Sequence, residues 1–180
     1  MKSKISRKIV IDASVARASG GPEATKPSST LCRDFMLKAL EVCHRVVMTP
    51  EIRVEWKRHQ SNFAKSWLTS MVSRRKFLLI TSCENAQLRQ RIGQLKTSEK
   101  ALAAMLKDVH LIEAALATDR IVVSLDNTVR NHFARASSDA SEIKEVVWRN
   151  PVMEPDLEDW LEKGAEAEAP MKLGFIPKGK

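Results

Sequence analysis

Short β-branched runs alternate with longer stretches of helical periodicity along this chain. "KIVI" (8–11) reads as a buried strand closed by Asp12, and "RVVM" (45–48), "KFLLIT" (76–81), "RIVVS" (120–124) and "EVVW" (145–148) repeat the theme. Between them, Leu31, Phe35, Ala39 and Cys43 recur at helical spacing. "TPEIRVEWKRHQSNFAKSWLTSMV" (49–72) predicts one long helix, with Thr49 as N-cap, Pro50 at the first helical position and an apolar stripe through Ile52, Trp56, Phe63, Trp67 and Met71. "ENAQLRQRIGQL" is a short basic helix. "SEKALAAMLKDVHLIEAALA" (98–117) is the strongest helix in the sequence, rich in Ala and Leu, with an apolar face through Leu102, Met105, Val109, Ile112 and Leu116. "NTVRNHFARA" (127–136) is another helix. "RASGGPEATKPSST" (17–30) collects Gly, Pro, Ser and Thr and reads as a loop, a candidate flap over a substrate.

Strands alternating with helices predict a three-layer α/β/α sandwich around a central, mainly parallel five-stranded sheet, because parallel strands need crossovers and helices supply them. In such sheets ligands gather beyond the carboxyl ends of the strands, where Asp12 and Asp126 both stand. Two further acids flank apolar stripes. Glu55 lies beside the stripe of the 49–72 helix, whereas Glu51 belongs to its exposed first turn, where acids favour the helix dipole. Asp108 sits inside the Ala-rich helix, where Asp lowers helix propensity. Each acid taken alone has a plain structural reading as a turn, a cap or a surface carboxylate.

Charge changes the picture of partners. The net charge is +8, yet residues 151–180 hold four Lys and seven acids, leaving 26 basic and 15 acidic residues, or +11, in residues 1–150. Such an excess favours a polyanion. Residues 1–150 are read as the globular domain and 151–180 as an acidic, partly disordered extension that covers the basic surface or meets a partner. Three scattered cysteines, 32, 43 and 83, point to free thiols and a reducing, cytoplasmic setting. No apolar stretch is long enough for a membrane span. The histidines at 44, 59, 110 and 132 are too widely spaced for a zinc site. The Trp spacing at 56 and 67 suits core anchors, and Gly20–Gly21 lacks a phosphate-cradle pattern.

"IVIDASV" at the first strand, an acid in the helix after the second, "DVHLIEAALA" and "VVSLD" occur in an order that resembles the PIN-domain nucleases over roughly residues 8–150. The resemblance implies an endoribonuclease dependent on Mg²⁺ or Mn²⁺, as in the toxin members of toxin-antitoxin pairs. It maps the acidic quartet onto Asp12, Glu55, Asp108 and Asp126. Asp12, Asp108 and Asp126 are then the main metal ligands, with Glu55 at a second position or orienting the attacking water. Ser14 and Ser124 are implied as supporting residues. Asn127, at the start of the following helix, is placed either to cap that helix or to touch the metal or a phosphate as a further supporting residue. An RNA substrate, an antitoxin protein and a second copy of the chain are the implied partners.

Hard cations take carboxylate and water oxygens, and four carboxylates without a cation repel one another. With water as the nucleophile, no nucleophilic side chain is needed. Lys57, Arg58 and His59, with Arg74, Arg75 and Lys76 and then Arg89 and Arg91, form a candidate basic rim for RNA; Lys57, Arg58, Arg74 and Arg75 are its leading members. The competing reading is a non-catalytic RNA-binding or protein-interaction module on the same fold.

Overall fold

The five β-branched runs become strands β1 (Lys8–Ile11), β2 (Arg45–Met48), β3 (Phe77–Leu79), β4 (Ile121–Val123) and β5 (Val147–Arg149). In this computed structural model, which describes residues 5–177, all of them pair in parallel in the order β3-β2-β1-β4-β5. Their near-continuous burial, from Ile9, Val10 and Ile11 to every residue of β4 and β5, is what a parallel sheet covered on both faces requires. The covering helices are α1 (Ala13–Ala18), α2 (Pro27–Glu41), α3 (Pro50–His59), α4 (Asn62–Ser73), α5 (Ala86–Gly93), α6 (Glu99–Leu116), α7 (Asn127–Ala136) and α8 (Leu157–Glu162). The architecture is the expected α/β/α sandwich. Among the described residues no helix is long and apolar enough to cross a membrane.

Three segments differ from the sequence reading. The expected single helix over 49–72 is two helices that break at Gln60–Ser61. Ser61 Oγ caps α4 by accepting the Ala64 N–H (3.0 Å), while the Ser61 N–H donates to the Ala16 carbonyl (3.1 Å) on α1. A local cap and a tertiary hydrogen bond thus win over a continuous stripe. The expected 17–30 loop shrinks to residues 19–26, because α1 runs to Ala18 and Pro27 opens α2 at a position where its missing N–H costs nothing. The chain doubles back so tightly there that a Cβ on Gly20 would stand 2.3 Å from that of Ala24.

The third difference is the segment after Asn150, which is built into the domain. Leu157, Trp160 and Leu161 are buried as α8 packs against α2, and Leu173 is buried with its N–H donating to Val146 (2.9 Å). Two buried polar residues hold this segment. His44 accepts the Arg7 N–H at Nδ1 (3.0 Å), so its proton resides on Nε2, which donates to the Leu161 carbonyl (2.8 Å). Arg149, expected just beyond the last strand, lies inside β5 at 2% exposure, pairs with Asp156 (2.8 Å) and Glu154 and stacks on Trp160 at 5.0 Å. Two acids of this segment, Glu154 and Asp156, therefore neutralise a buried arginine, and a third, Glu162, pairs with Lys38 (2.6 Å) on α2. Residues 178–180, the last of the expected extension, lie outside the described range.

Trp56 and Trp67 are core anchors as expected: their indole N–H groups donate to the carbonyls of Ile11 (2.9 Å) and Met36 (2.5 Å). All three cysteines are free, and burial pushes the Cys32 thiol up to about 12.

The end of α4 carries a testable irregularity. Arg75 has φ 58°, and the N–H groups of Arg75 and Lys76 return to the Val72 and Met71 carbonyls, a helix-ending turn that suits glycine. Arg75→Gly is expected to raise stability by about 0.5–1 kcal/mol in a denaturant titration, because a side chain no longer occupies the left-handed region.

Candidate active site

The order β3-β2-β1-β4-β5 reverses direction at β1, so the connections leaving the carboxyl ends of β1 and β4 part there, the place at which ligands gather in sheets of this kind. Asp12 follows β1 there, and its N–H donates to the Val123 carbonyl (2.9 Å). It occupies the N-cap position of α1, yet its carboxylate makes no capping hydrogen bond. Oδ2 instead accepts the hydroxyls of Ser14 (2.5 Å) and Ser124 (2.8 Å). Those hydroxyls in turn accept the N–H groups of Leu125 and Asp126 (3.1 Å each). Two serines 110 residues apart thereby lock the loop after β4 onto the end of β1, and Asp12 Oδ1 keeps no hydrogen bond among the described residues.

Asp108 enters from α6. Its neighbours Met105, Val109 and Ile112 are buried against the core, and this leaves the Asp108 side chain only 15% exposed. Its carboxyl is pushed up to about 6, first by burial; Lys107, whose Nζ is 3.8 Å away, opposes the shift, Asp12 adds to it, His110 opposes it and Glu55 adds to it. Asp12, at the end of β1, and Glu55, on α3, are thus each near enough to repel Asp108 on α6.

Glu55 is half-buried on α3, with Oε2 3.4 Å from His110 Nε2. Trp56, the next residue, fixes α3 against β1 through its bond to Ile11. Glu51 behaves as a first-turn acid: its carboxyl is lowered chiefly by its own backbone N–H and then by the Thr49 hydroxyl, and it is exposed. Asp126 is an exposed N-cap whose Oδ1 accepts the Val129 N–H (2.8 Å), so one of its two oxygens is committed to α7. Asn127, the first residue of α7 and not its cap, accepts at Oδ1 the Asn150 Nδ2 (3.1 Å), which also reaches the Leu125 carbonyl (3.2 Å). Asn127 thus shares the Asn150 amide with the loop after β4.

Among the described residues no three His, Cys, Asp or Glu side chains close on a single point as a ready metal cage. The donor set is nonetheless that of a hard cation, since Mg²⁺ is commonly held by one or two carboxylates with water filling the rest. The repulsion that Asp12 and Glu55 exert on Asp108 is what a cation would relieve.

The expected basic rim divides. Lys57 and Arg58 are exposed on α3, two and three residues beyond Glu55. Arg74 and Arg75 stand at the other end of the sheet, just before β3, because every strand runs the same way. Lys76 donates to the Leu40 and Val42 carbonyls and Arg74 to Leu40, closing the end of α2. Arg89 is held by Glu113 (2.8 Å) and Arg91 by Glu142 (2.7 Å). The sequence reading weighs His110 only as a zinc ligand and leaves out Asn150. His110 stands two residues from Asp108 in an apolar helix, and a buried polar residue beside a suspected ligand was the available signal.

Comparison with family models, with curated proteins and with solved structures returns no match.

Proposed function

We propose that this chain is a divalent-cation-dependent ribonuclease of the PIN kind, acting at Asp12, Glu55 and Asp108. The observation that carries the reading is the gathering of these acids at the reversal of strand order, with Asp108 pushed up to about 6 in part by Asp12 and Glu55. A bound Mg²⁺ or Mn²⁺ would supply positive charge against both the carboxylates and the scissile phosphate. The protein's own residues do the rest. Ser14 and Ser124 hold Oδ2 of Asp12 so that Oδ1 remains available. Glu55, at the half-exposed rim, orients the attacking water, and Lys57 and Arg58 beside it hold the RNA backbone. Water adds to phosphorus as one P–O bond breaks, and its proton passes to solvent through the carboxylates. Asp126 contributes its second oxygen from the cap of α7. A reducing, cytoplasmic setting belongs to the same proposal, on the strength of the three free thiols. No feature of the site among the described residues bears on an antitoxin or on pairing with a second copy.

Labelled single-stranded RNA incubated with Mg²⁺ or Mn²⁺ should be cut, EDTA should stop the reaction, and Asp12→Asn should slow it about a thousandfold. RNA that binds but stays intact under every cation would favour the non-catalytic module instead.

A further inference from the structure

The two edges of the sheet are finished differently. Beyond β5 the chain covers its own edge, where Val147 bridges Lys172 and the Leu173 N–H donates to the Val146 carbonyl (2.9 Å). β3, at the other edge, has a strand on one side only. The Lys76 carbonyl accepts the Val46 N–H (2.8 Å) and the Ile80 N–H donates to the Met48 carbonyl (2.9 Å). By the alternation of a parallel ladder, the backbone groups of Phe77 and Leu79 therefore point away from β2, and among the described residues they meet no partner there. The edge sequence "FLLI" (77–80) holds no charge or proline to turn a further strand away.

The side chains along this edge are uncovered as well. Val54 on α3, Leu68 and Val72 on α4, and Phe77 and Leu79 on β3 line one groove. Val54 is 57%, Val72 52% and Leu79 42% exposed, an apolar strip of the kind that marks an interaction surface. Arg53 and Lys65 line the same groove, exposed and without an acidic partner among the described residues.

We propose that this edge takes up an extended segment of another protein as a sixth strand, apolar at its centre and acidic at its flanks. The outward N–H and C=O groups of Phe77 and Leu79 supply the ladder, the groove receives the apolar side chains on that face, and Arg53 and Lys65 pair with the acids. Charge decides the occupant. A second copy pairing β3 with β3 would bring another set of these cations to the interface and no acids from the groove to match them. RNA would bring phosphates to the cations but no alternating donors and acceptors for the strand edge. None of these residues belongs to the acidic site, so docking here is independent of the nuclease reading.

Hydrogen–deuterium exchange of the full chain tests this with two pools of short synthetic peptides. One pool has Val, Ile or Leu at the centre and Glu or Asp at the flanks, and the other has Lys in place of the acids. The Phe77 and Leu79 amides should exchange freely in the chain alone and slow about tenfold or more with the acidic pool, but not with the basic one. Arg53→Glu combined with Lys65→Glu, both outside the core, should weaken the acidic pool about tenfold in fluorescence anisotropy and admit the basic pool. Three results would each overturn the proposal. Protection without peptide that grows with protein concentration would give the edge to a second copy, and protection by oligouridine in EDTA would give it to nucleic acid. An acidic pool that leaves both amides exchanging freely would remove the docking site.

Discussion

Asp108→Asn is expected to make the cation-free protein more stable at pH 8 while abolishing RNA cleavage. The carboxyl's ordinary value is 3.8, and the fold pushes it up to about 6, chiefly by burial and then through the nearby acids. A raised carboxyl binds its proton more tightly in the folded than in the unfolded state. The favourable contribution is therefore complete below pH 3.8 and is lost as pH climbs through about 6. Above that, the folded protein holds a charge it would shed. The rise from 3.8 to about 6 corresponds to at most about 3 kcal/mol. The amide cannot ionise, so Asn should recover most of this at pH 8 and almost none at pH 4. Melting curves at the two pH values would read roughly a 5–10 °C gain at the first and none at the second for a domain of this size. Saturating Mn²⁺ should reverse the order at pH 8 by stabilising the wild type and not the variant. An equal gain at both pH values would mean that Asp108 carries no repulsion, and the acidic site would lose its main support.

Arg89→Ala should destabilise the fold by about 3 kcal/mol, because it leaves a buried carboxylate without its partner. Glu113 on α6 is 2% exposed, takes Arg89 Nε and Nη2 at 2.8 Å each and also accepts the Asn85 N–H at 2.8 Å. Without Arg89 only the Asn85 N–H still reaches the Glu113 carboxylate. A drop of roughly 6–12 °C in Tm follows. Glu113→Gln on its own costs less, since a neutral amide still accepts from Asn85. The double variant should recover part of the Arg89→Ala loss, a coupling that only directly interacting groups show. Additive losses would place the two side chains apart in solution. Because the pair clamps α5 to the helix that carries Asp108, Arg89→Ala should also weaken cleavage at temperatures where the fold is intact.

How much of this was legible in the residues differs between backbone and site. β1 and β2 match their predicted spans and α7 matches "NTVRNHFARA", since β-branched runs and Ala- or cap-bounded segments declare themselves locally. The split between α3 and α4 did not, because Ser61 breaks the helix through a bond to Ala16, 45 residues away. Arg74 and Arg75 were placed with the RNA-binding residues by proximity along the chain. The parallel sheet sends them to its far end, a strand length of roughly 10–13 Å from the acids.

The order of strands and helices, the candidacy of Asp12, Glu55 and Asp108, and the free thiols belong to the sequence itself, because periodicity, residue chemistry and composition are local properties. Tertiary structure alone decided that Ser14 and Ser124 meet on one oxygen of Asp12, that Asp126 spends an oxygen capping α7, and that residues 151–177 wrap a buried arginine. It also turned His110 toward Glu55. Such contacts join positions tens of residues apart, where no local pattern can register them and only the packing of α3 and α6 around β1 brings the groups together.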